Sequence, residues 1–497
     1  MQSAIMTLYV ICFCDLGSER EMMVATKRKD MDMTTGALLP KILLFVLPLI
    51  VTNLLQMFYN AADMIVVGLS SEADAVGAIG TTGAFTSLVV NLFIGLSVGA
   101  NVVVARHLGA GEHDRASIAV HTSTVVGLLL GVVGGGVGVL ISEPVMRLLG
   151  NQGRLLELSV TYVRFYFGAL PFHALSNYAI ALHRAKGDTR TPLIVLSLSG
   201  ILNVLLNLFF VLVCGMSVQG VALATGIAAA VSAVVLYANL ARDKGPCRFS
   251  FKLLRCDRSE VNKILLIGIP AGVQGALFSI SNMLIQSSII SVNNSLFDPN
   301  AAYQPVVKGN AAAANLEGFA YTAVNAMQQA AVTFTSQNVG AAKYARVKRV
   351  MVCCYGLGIA VGLAVTLFLV GLQEPLLALY GVTNGTDELS QLAYSAAVTR
   401  VWYMWPFFVL HAFMACGSDI LRGLGKSMLS TVSSLIGSCL LRVIWIYTAF
   451  RAFPSLGMIY ISYPTTWAIT AAVLFVFVFR EFRRFPRAGV PPEIKQE

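Results

Sequence analysis

The chain has 497 residues, of which 56% are hydrophobic and only 12% charged, with a mean hydropathy of +0.73. A soluble domain carries roughly 25% charged residues, so this sequence has about half the charge that a water-facing surface needs. That excludes a soluble enzyme or binding module. It also makes the distribution of the +10 net charge more informative than its size.

The first 34 residues hold a short apolar run, Ala4 to Cys14, followed by a charge-dense stretch from Glu19 to Asp32. A cleaved leader has the basic stretch first, so the segment reads as a cytoplasmic extension, with a start nearer Met31 as the alternative. Apolar runs of ~20 residues or more then recur, each long enough for a helix to cross a ~30 Å hydrocarbon core. They fall at 41–68, 77–103, 118–141, 160–182, 192–213 and 219–240, then at 264–292, 310–337, 350–372, 396–416, 428–450 and 457–479. Continuous runs favour helices over the ~10-residue alternation of barrel strands. The fold class is therefore all-α membrane protein with twelve transmembrane helices. A lobe of six spans (35–240), a basic linker (241–263), a second lobe (264–480) and a tail (481–497) follow from the spacing.

With the N-terminus, every second loop and the C-terminus on one side, that side holds 28 of the 35 Lys and Arg. Such a bias places both termini in the cytoplasm and the protein in the cell (inner or plasma) membrane. The positive charge is a topology signal, so no nucleic-acid partner is expected. The expected partners are the lipid bilayer and small organic molecules, and the expected unit is a monomer. The nine cysteines show no metal spacing and read as small packing residues.

The chain repeats itself. Lys41-Ile-Leu-Leu44 recurs as Lys263-Ile-Leu-Leu266, and Pro48 and Asn60 match Pro270 and Asn282 at the same offset. Further on, Gly109 matches Gly340, and Glu143-Pro144 with Gly150 matches Glu374-Pro375 with Gly381. Arg164, Arg184 and Gly187 then pair with Arg400, Arg422 and Gly425. With an even number of spans per half, the copies are related by an axis along the membrane normal. This parallel-repeat build is typical of transporters that bind substrate between their halves. Pro48, Pro171, Pro270 and Pro406 are expected to interrupt spans as hinges or kinks.

Several segments resemble the bacterial branch of the multidrug and toxic compound extrusion (MATE) family. They are Tyr59-Asn-Ala-Ala-Asp-Met-Ile-Val-Val-Gly68, Arg184-Ala-Lys-Gly-Asp-Thr-Arg-Thr-Pro192, Asn203-Val-Leu-Leu-Asn207 and Gly220-Val-Ala-Leu-Ala-Thr225 in the first half. Asn310-Ala-Ala-Ala-Ala-Asn-Leu-Glu-Gly318 and Thr335-Ser-Gln-Asn-Val-Gly340 follow in the second. The resemblance covers roughly residues 35 to 480. It implies V-shaped lobes exporting bulky, often cationic compounds in exchange for Na⁺ or H⁺, with no cofactor. It also implies that Asp63, Asn203 and Thr225 occupy positions of the family's cation site. This chain has Asn207 where many members carry a second carboxylate.

Only two acidic residues fall inside the spans, Asp63 and Glu317, and an intramembrane ionisable group is a functional candidate by default. Asn53, Gln56, Asn60 and Asp63 share one helical face. At ~1.5 Å per residue, Asp63, Asn207 and Thr225 lie at one depth, ~7–9 Å below the outer surface. Carboxylate, amide and hydroxyl oxygens at one level suit a hard cation such as Na⁺, with no other metal expected. Protonation of Asp63 alone is equally open, and so is a plain role for these groups in helix–helix bonding.

The second half carries Ile285 where Asp63 would fall. Glu317 shares a face with Tyr321 and Gln328, and it either binds a cation or pairs with Arg400 or Arg442. Gln56, Tyr59, Asn60, Asn282 and Met283 are cleft candidates. So are Met57, Phe58, Phe85, Met327, Trp402 and Trp405, since aromatics and Met grip large cations. His173 and His411 lie within spans, where either titration or a plain interhelical bond fits.

The reading is therefore a secondary antiporter working by alternating access. No Gly-x₄-Gly-Lys-Ser/Thr motor motif occurs, so energy must come from an ion gradient. A flippase for a polyprenyl- or sugar-linked lipid is the rival, and would need a basic cavity. An intramembrane enzyme would need a nucleophile elbow or His-Glu-x-x-His, and neither motif is present; the chain is not expected to be an enzyme.

Overall fold

A computed structural model describes residues 30–68, 75–296 and 304–485, and every regular element among them is helical. The expectations for residues 1–29 and for the end of the tail lie outside the described residues. The first helices are α1 (Leu38–Gly68), α2 (Ala75–Ala110), α3 (His113–Leu148), α4 (Gly153–Gly168) and α5 (Leu170–Ala185). They are followed by α6 (Arg190–Leu208), which runs into a π-type turn at Phe209–Val213, and by α7 (Val218–Ala241). Next come α8 (Arg258–Leu296), α9 (Pro305–Gly340), α10 (Tyr344–Gly371), the short α11 (Gln373–Ala378) and α12 (Glu388–Met404). The last are α13 (Phe408–Gly423), α14 (Ser427–Ser434), α15 (Leu441–Trp445), α16 (Leu456–Tyr460) and α17 (Ser462–Arg483).

Among the described residues, ten helical stretches are long and apolar enough to cross a bilayer. Two of the twelve expected spans fall outside that count, the α4–α5 pair and α9. Their length is adequate, but their polar side chains lower the hydropathy. Glu317 and Asn310 of α9 are enclosed by protein, which is where a membrane helix can keep such groups. On the faces away from protein the helices present Leu140, Val133, Leu205 and Leu367, as a lipid-facing surface requires.

The described residues divide into two compact units. One comprises residues 30–276 with 336–343. The other comprises 277–335 and 344–485, apart from the segment outside the description. The division falls within α8 and again near the end of α9. In the first unit, Gly131, Gly135 and Gly138 of α3 let α4 and α5 approach closely. A Cβ at Gly138 would lie 2.0 Å from the Phe167 ring, and one at Gly131 would lie 2.7 Å from the Pro171 backbone. Small residues at this spacing replace the hydrophobic effect as the packing device between membrane helices.

The sequence repeat has a backbone explanation. Gly187 (φ +87°) ends α5 and Gly425 (φ +79°) ends α13. In each turn the residue after the glycine donates back into the helix, Asp188 to the His183 carbonyl and Lys426 to the Leu421 carbonyl, both at 2.9 Å. Glycine is the residue that adopts this left-handed helix stop without strain.

One expectation is corrected. Pro48 and Pro270 do not interrupt their spans; α1 and α8 run through them. The breaks occur instead at Pro171, in the first turn of α5, and at Pro406, in a tight turn between α12 and α13. A proline at a helix start forfeits no intrahelical bond, so the chain breaks where proline fits best.

Candidate functional site

Asp63 lies five residues before the end of α1, Asn203 and Asn207 lie one turn apart on α6, and Thr225 sits two turns into α7. The three helices pack side by side, and these four side chains meet. Asn207 donates a short hydrogen bond from its amide nitrogen to Asp63 Oδ1. The Asn203 amide stands between Asp63 Oδ1, at 2.8 Å, and Thr225 Oγ1, at 3.2 Å. Thr225 in turn donates to the Val221 carbonyl at 2.9 Å.

The 2.8 Å approach of the Asn203 head to Asp63 requires a hydrogen between them. If the carboxylate is ionised, the amide nitrogen faces it and supplies the proton. If Asp63 carries the proton, the amide oxygen accepts it instead. An amide can serve both states by turning over.

Two features set the electrostatics. Asn203 and Asn207 are buried and Asp63 is half-buried, yet among the described residues Asp63 has no ion-pair partner. In addition, Asn207 Oδ1 is enclosed without a hydrogen-bond donor. An orphaned buried acceptor costs about 1–3 kcal/mol, and a cation seated beside the carboxylate would satisfy it. Tyr162 of α4, which sequence reasoning did not single out, lies within electrostatic reach of Asp63. Its ring stacks on Tyr166, which stacks on His173. His173 is thereby packed as an aromatic neighbour, with its Nε2 unpartnered.

The remaining candidates on α1 separate. Gln56 and Asn60 are exposed on the helix surface. Tyr59 is turned into the seam with α6, where its hydroxyl donates to the Ser197 carbonyl at 3.0 Å and its ring rests on Gly200. Any side chain at Gly200 would collide with that ring. Tyr59 thus holds α1 against α6 and fixes the frame in which Asp63 meets the two asparagines.

In the other unit Glu317 is fully enclosed. Arg400 of α12 grips it through two parallel bonds, Nε to Oε1 and Nη2 to Oε2, both 2.8 Å. A third guanidinium nitrogen reaches Asn310 Oδ1 at 2.6 Å, Tyr460 donates to that same oxygen at 3.0 Å, and Trp405 Nε1 donates to Glu317 at 3.1 Å. Of the two pairings open in sequence, Arg400 is the partner. Arg442 lies over the Tyr463 ring at 4.1 Å. Tyr321 packs edge-on against Phe408 and His411, and His411 is boxed further by Trp467. Gln328 is half-buried, whereas Asn282 and Met283 are exposed on α8. Trp405 and Met327 are core residues, so they are not available to line a cleft. Asn310, the hinge of the network, entered the sequence reading only as part of a motif. Its distance from Glu317 of seven residues, two helical turns, was the available signal.

The sequence profile of the MatE family matches residues 48–209 and 304–448, more than half of the chain and one block in each repeat. The chain belongs to the MatE family. It is similar to the probable multidrug resistance protein YoeA of Bacillus subtilis, at 25% identity over 87% of this chain and 91% of that protein. It also resembles the multidrug export protein MepA of Staphylococcus aureus, at 24% identity over 50% of this chain and 55% of that protein. Among solved structures, an outward-facing multidrug resistance MATE family transporter matches with a TM-score of 0.80 at 20% identity, over 92% of this chain and 97% of that one. A MOP superfamily transporter from Pyrococcus furiosus matches with a TM-score of 0.81 at 20% identity, over 93% and 98%. At this level of identity the likeness establishes the fold. The protein is thus a multi-pass MATE transporter, with Asp63 among the residues of the first matched block.

Proposed function

We propose that this MATE transporter is a secondary antiporter that exports bulky organic compounds, often cationic, in exchange for Na⁺ or H⁺. In this reading both termini are cytoplasmic, the protein resides in the cell membrane, and residues 35–240 and 264–480 act as the two lobes. The observation that carries it is the Asp63 cluster: a carboxylate with no counter-ion among the described residues, two buried amides, a hydroxyl, and one amide oxygen left without a donor. A structural carboxylate at such depth would be paired, as Glu317 is. Leaving Asp63 unpaired reserves its charge for a mobile ion.

Coupling follows if the bound ion and the exported compound stabilise different states of the transporter, because a ligand shifts an equilibrium only by its difference in affinity for the two states. Binding of the cation changes the charge at Asp63 and the orientation the Asn203 amide adopts. Both changes act on the α1–α6–α7 packing through Asn207, Thr225 and Tyr59. The names of the similar proteins support a drug-like substrate class. The flippase alternative loses one of the three arginines within the spans (Arg164, Arg400 and Arg442) that a basic cavity could use, because Arg400 is already engaged by Glu317 and Asn310.

The test is ethidium efflux from vesicles containing the purified protein, with a Na⁺ or an H⁺ gradient imposed separately. One gradient should drive efflux. If neither does, antiport of this class is wrong and lipid flipping becomes the better account.

A further inference from the structure

The connector between α7 and α8, residues 242–257, is ordered by specific contacts with the end of α3. Phe249 is buried against His121 and Tyr237, with ring centroids at 5.7 and 4.9 Å. Ser250 donates its backbone N–H to His121 Nε2 at 3.0 Å. Thr122 bonds both the Arg255 carbonyl and the Asp257 N–H at 3.3 Å. Held this way, a short turn at Phe251–Leu253 presents apolar side chains outward: Phe251 is 80% exposed, Leu253 55% and Leu254 39%. Exposed Arg248, Lys252 and Arg255 flank them and make no ion pair among the described residues. The nearest acids are engaged elsewhere, Asp243 with Lys186 and Asp257 at the start of α8.

The depth of this turn follows from α3. Its 36 residues span ~54 Å at ~1.5 Å each, whereas the hydrocarbon core is ~30 Å thick. Centring the helix leaves ~12 Å, about eight residues, beyond the core at each end. His121 and Thr122, eight and nine residues after His113, therefore mark the hydrocarbon boundary, and the connector bonded to them sits at the headgroup level. Aromatic and leucine side chains ringed by Lys and Arg are the composition of an interfacial anchor on an anionic surface.

We infer that Phe251, Leu253 and Leu254 insert into the cytoplasmic leaflet and that Arg248, Lys252 and Arg255 bind anionic lipid headgroups there. The inference rests on the cytoplasmic placement proposed above, but its test needs no transport. The environment-sensitive fluorophore NBD is attached to Leu253→Cys in the full chain, with Cys12, Cys14, Cys214 and Cys256 replaced by Ser. The protein is reconstituted in vesicles of phosphatidylcholine with or without 30% phosphatidylglycerol. The expected result is blue-shifted emission, quenched by lipid nitroxides near the headgroup, with quenching at least twofold greater when phosphatidylglycerol is present. Adding Lys252→Glu and Arg255→Glu should remove that lipid dependence. Since both side chains are exposed, thermal stability in detergent should be unchanged. A fluorophore accessible to aqueous iodide in both lipids overturns the inference. So does quenching that ignores the two charge reversals.

Discussion

Arg400 closes on Glu317 with two parallel N–H···O bonds of 2.8 Å, whereas Asp63, the other carboxylate within the spans, meets only amide nitrogens. The two acids therefore differ in kind. Glu317 is neutralised inside its own fold, and its charge is consumed in joining α9 to α12. Asp63 keeps its charge available. The difference separates stability from function and leads to opposite expectations for mutating each residue.

Asp63→Asn removes the charge while keeping size and hydrogen bonding. Ethidium efflux should fall to background, while membrane insertion and thermal stability are retained, because no buried partner is orphaned. Efflux at the wild-type rate from this variant would remove Asp63 from the mechanism.

Arg400→Gln should instead destabilise the protein. Breaking a buried ion pair by removing one partner costs about 3–5 kcal/mol, so thermal unfolding in detergent should shift down clearly. The double variant Arg400→Gln with Glu317→Gln should regain most of the loss, because no unpaired charge remains. A double variant as unstable as the single one would contradict this account.

Asn207→Asp adds a second carboxylate to the cluster. Two unit charges ~4 Å apart at an effective dielectric of ~20 interact by about 4 kcal/mol, so a bound cation gains strongly. The concentration of the coupling cation at half-maximal efflux should drop at least tenfold. Equal or weaker cation dependence would mean that the ion does not sit beside Asn207.

At the membrane-flanking turn after α5, Lys186 is paired with Asp243 at 2.7 Å and Asp30 at 3.0 Å. Burial opposes its charge, but the two carboxylates outweigh burial and raise its proton affinity above that of an ordinary lysine. For Asp243, burial is likewise the largest influence and opposes the charge, but the Lys186 hydrogen bond and charge together with the backbone N–H of Gly245 outweigh it, holding the carboxyl below the usual range. A raised lysine gives stability that is present below its usual pKa and lost as pH rises through the folded value. A lowered aspartate gives stability that is present above its usual pKa and lost as pH falls through the folded value. The share of the unfolding temperature that Lys186 and Asp243 contribute, read as the difference between wild type and Lys186→Met, should thus be flat from about pH 5 to 9, and fall below about pH 4 and above about pH 10.5. Lys186→Met should cost roughly 2 kcal/mol, less than a fully buried pair because Asp243 keeps some solvent, and should flatten the alkaline limb. An unchanged alkaline limb in that variant would show that another group controls it.

Hydropathy and charge placement were enough to read the helical class, the number of spans and the repeat. A bilayer imposes length and apolarity on every span locally, and positive charge marks topology loop by loop. The matched glycines 187 and 425 were legible because a left-handed helix stop constrains one residue by itself. The Asp63 cluster was half legible. Helical rise placed Asp63, Asn207 and Thr225 at one depth, since depth is a one-dimensional coordinate that sequence preserves.

Rotation about each helix and the choice of neighbour are not local, and here the fold decided. Tyr59, read as lining a cleft, turns into the seam with α6 because Gly200 leaves room for its ring. Trp405 turns inward to Glu317. The sequence left two arginines open to Glu317, and tertiary packing selected Arg400. Pro48 and Pro270 looked like breaks, but α1 and α8 run on through them. The sequence alone determined how many helices cross and which polar groups could share one level along them. Only packing, through side-chain contacts between Arg400 and Glu317, 83 positions apart, and between Asn207 and Asp63, 144 apart, decided that one acid is paired with an arginine while the other, among the described residues, is not.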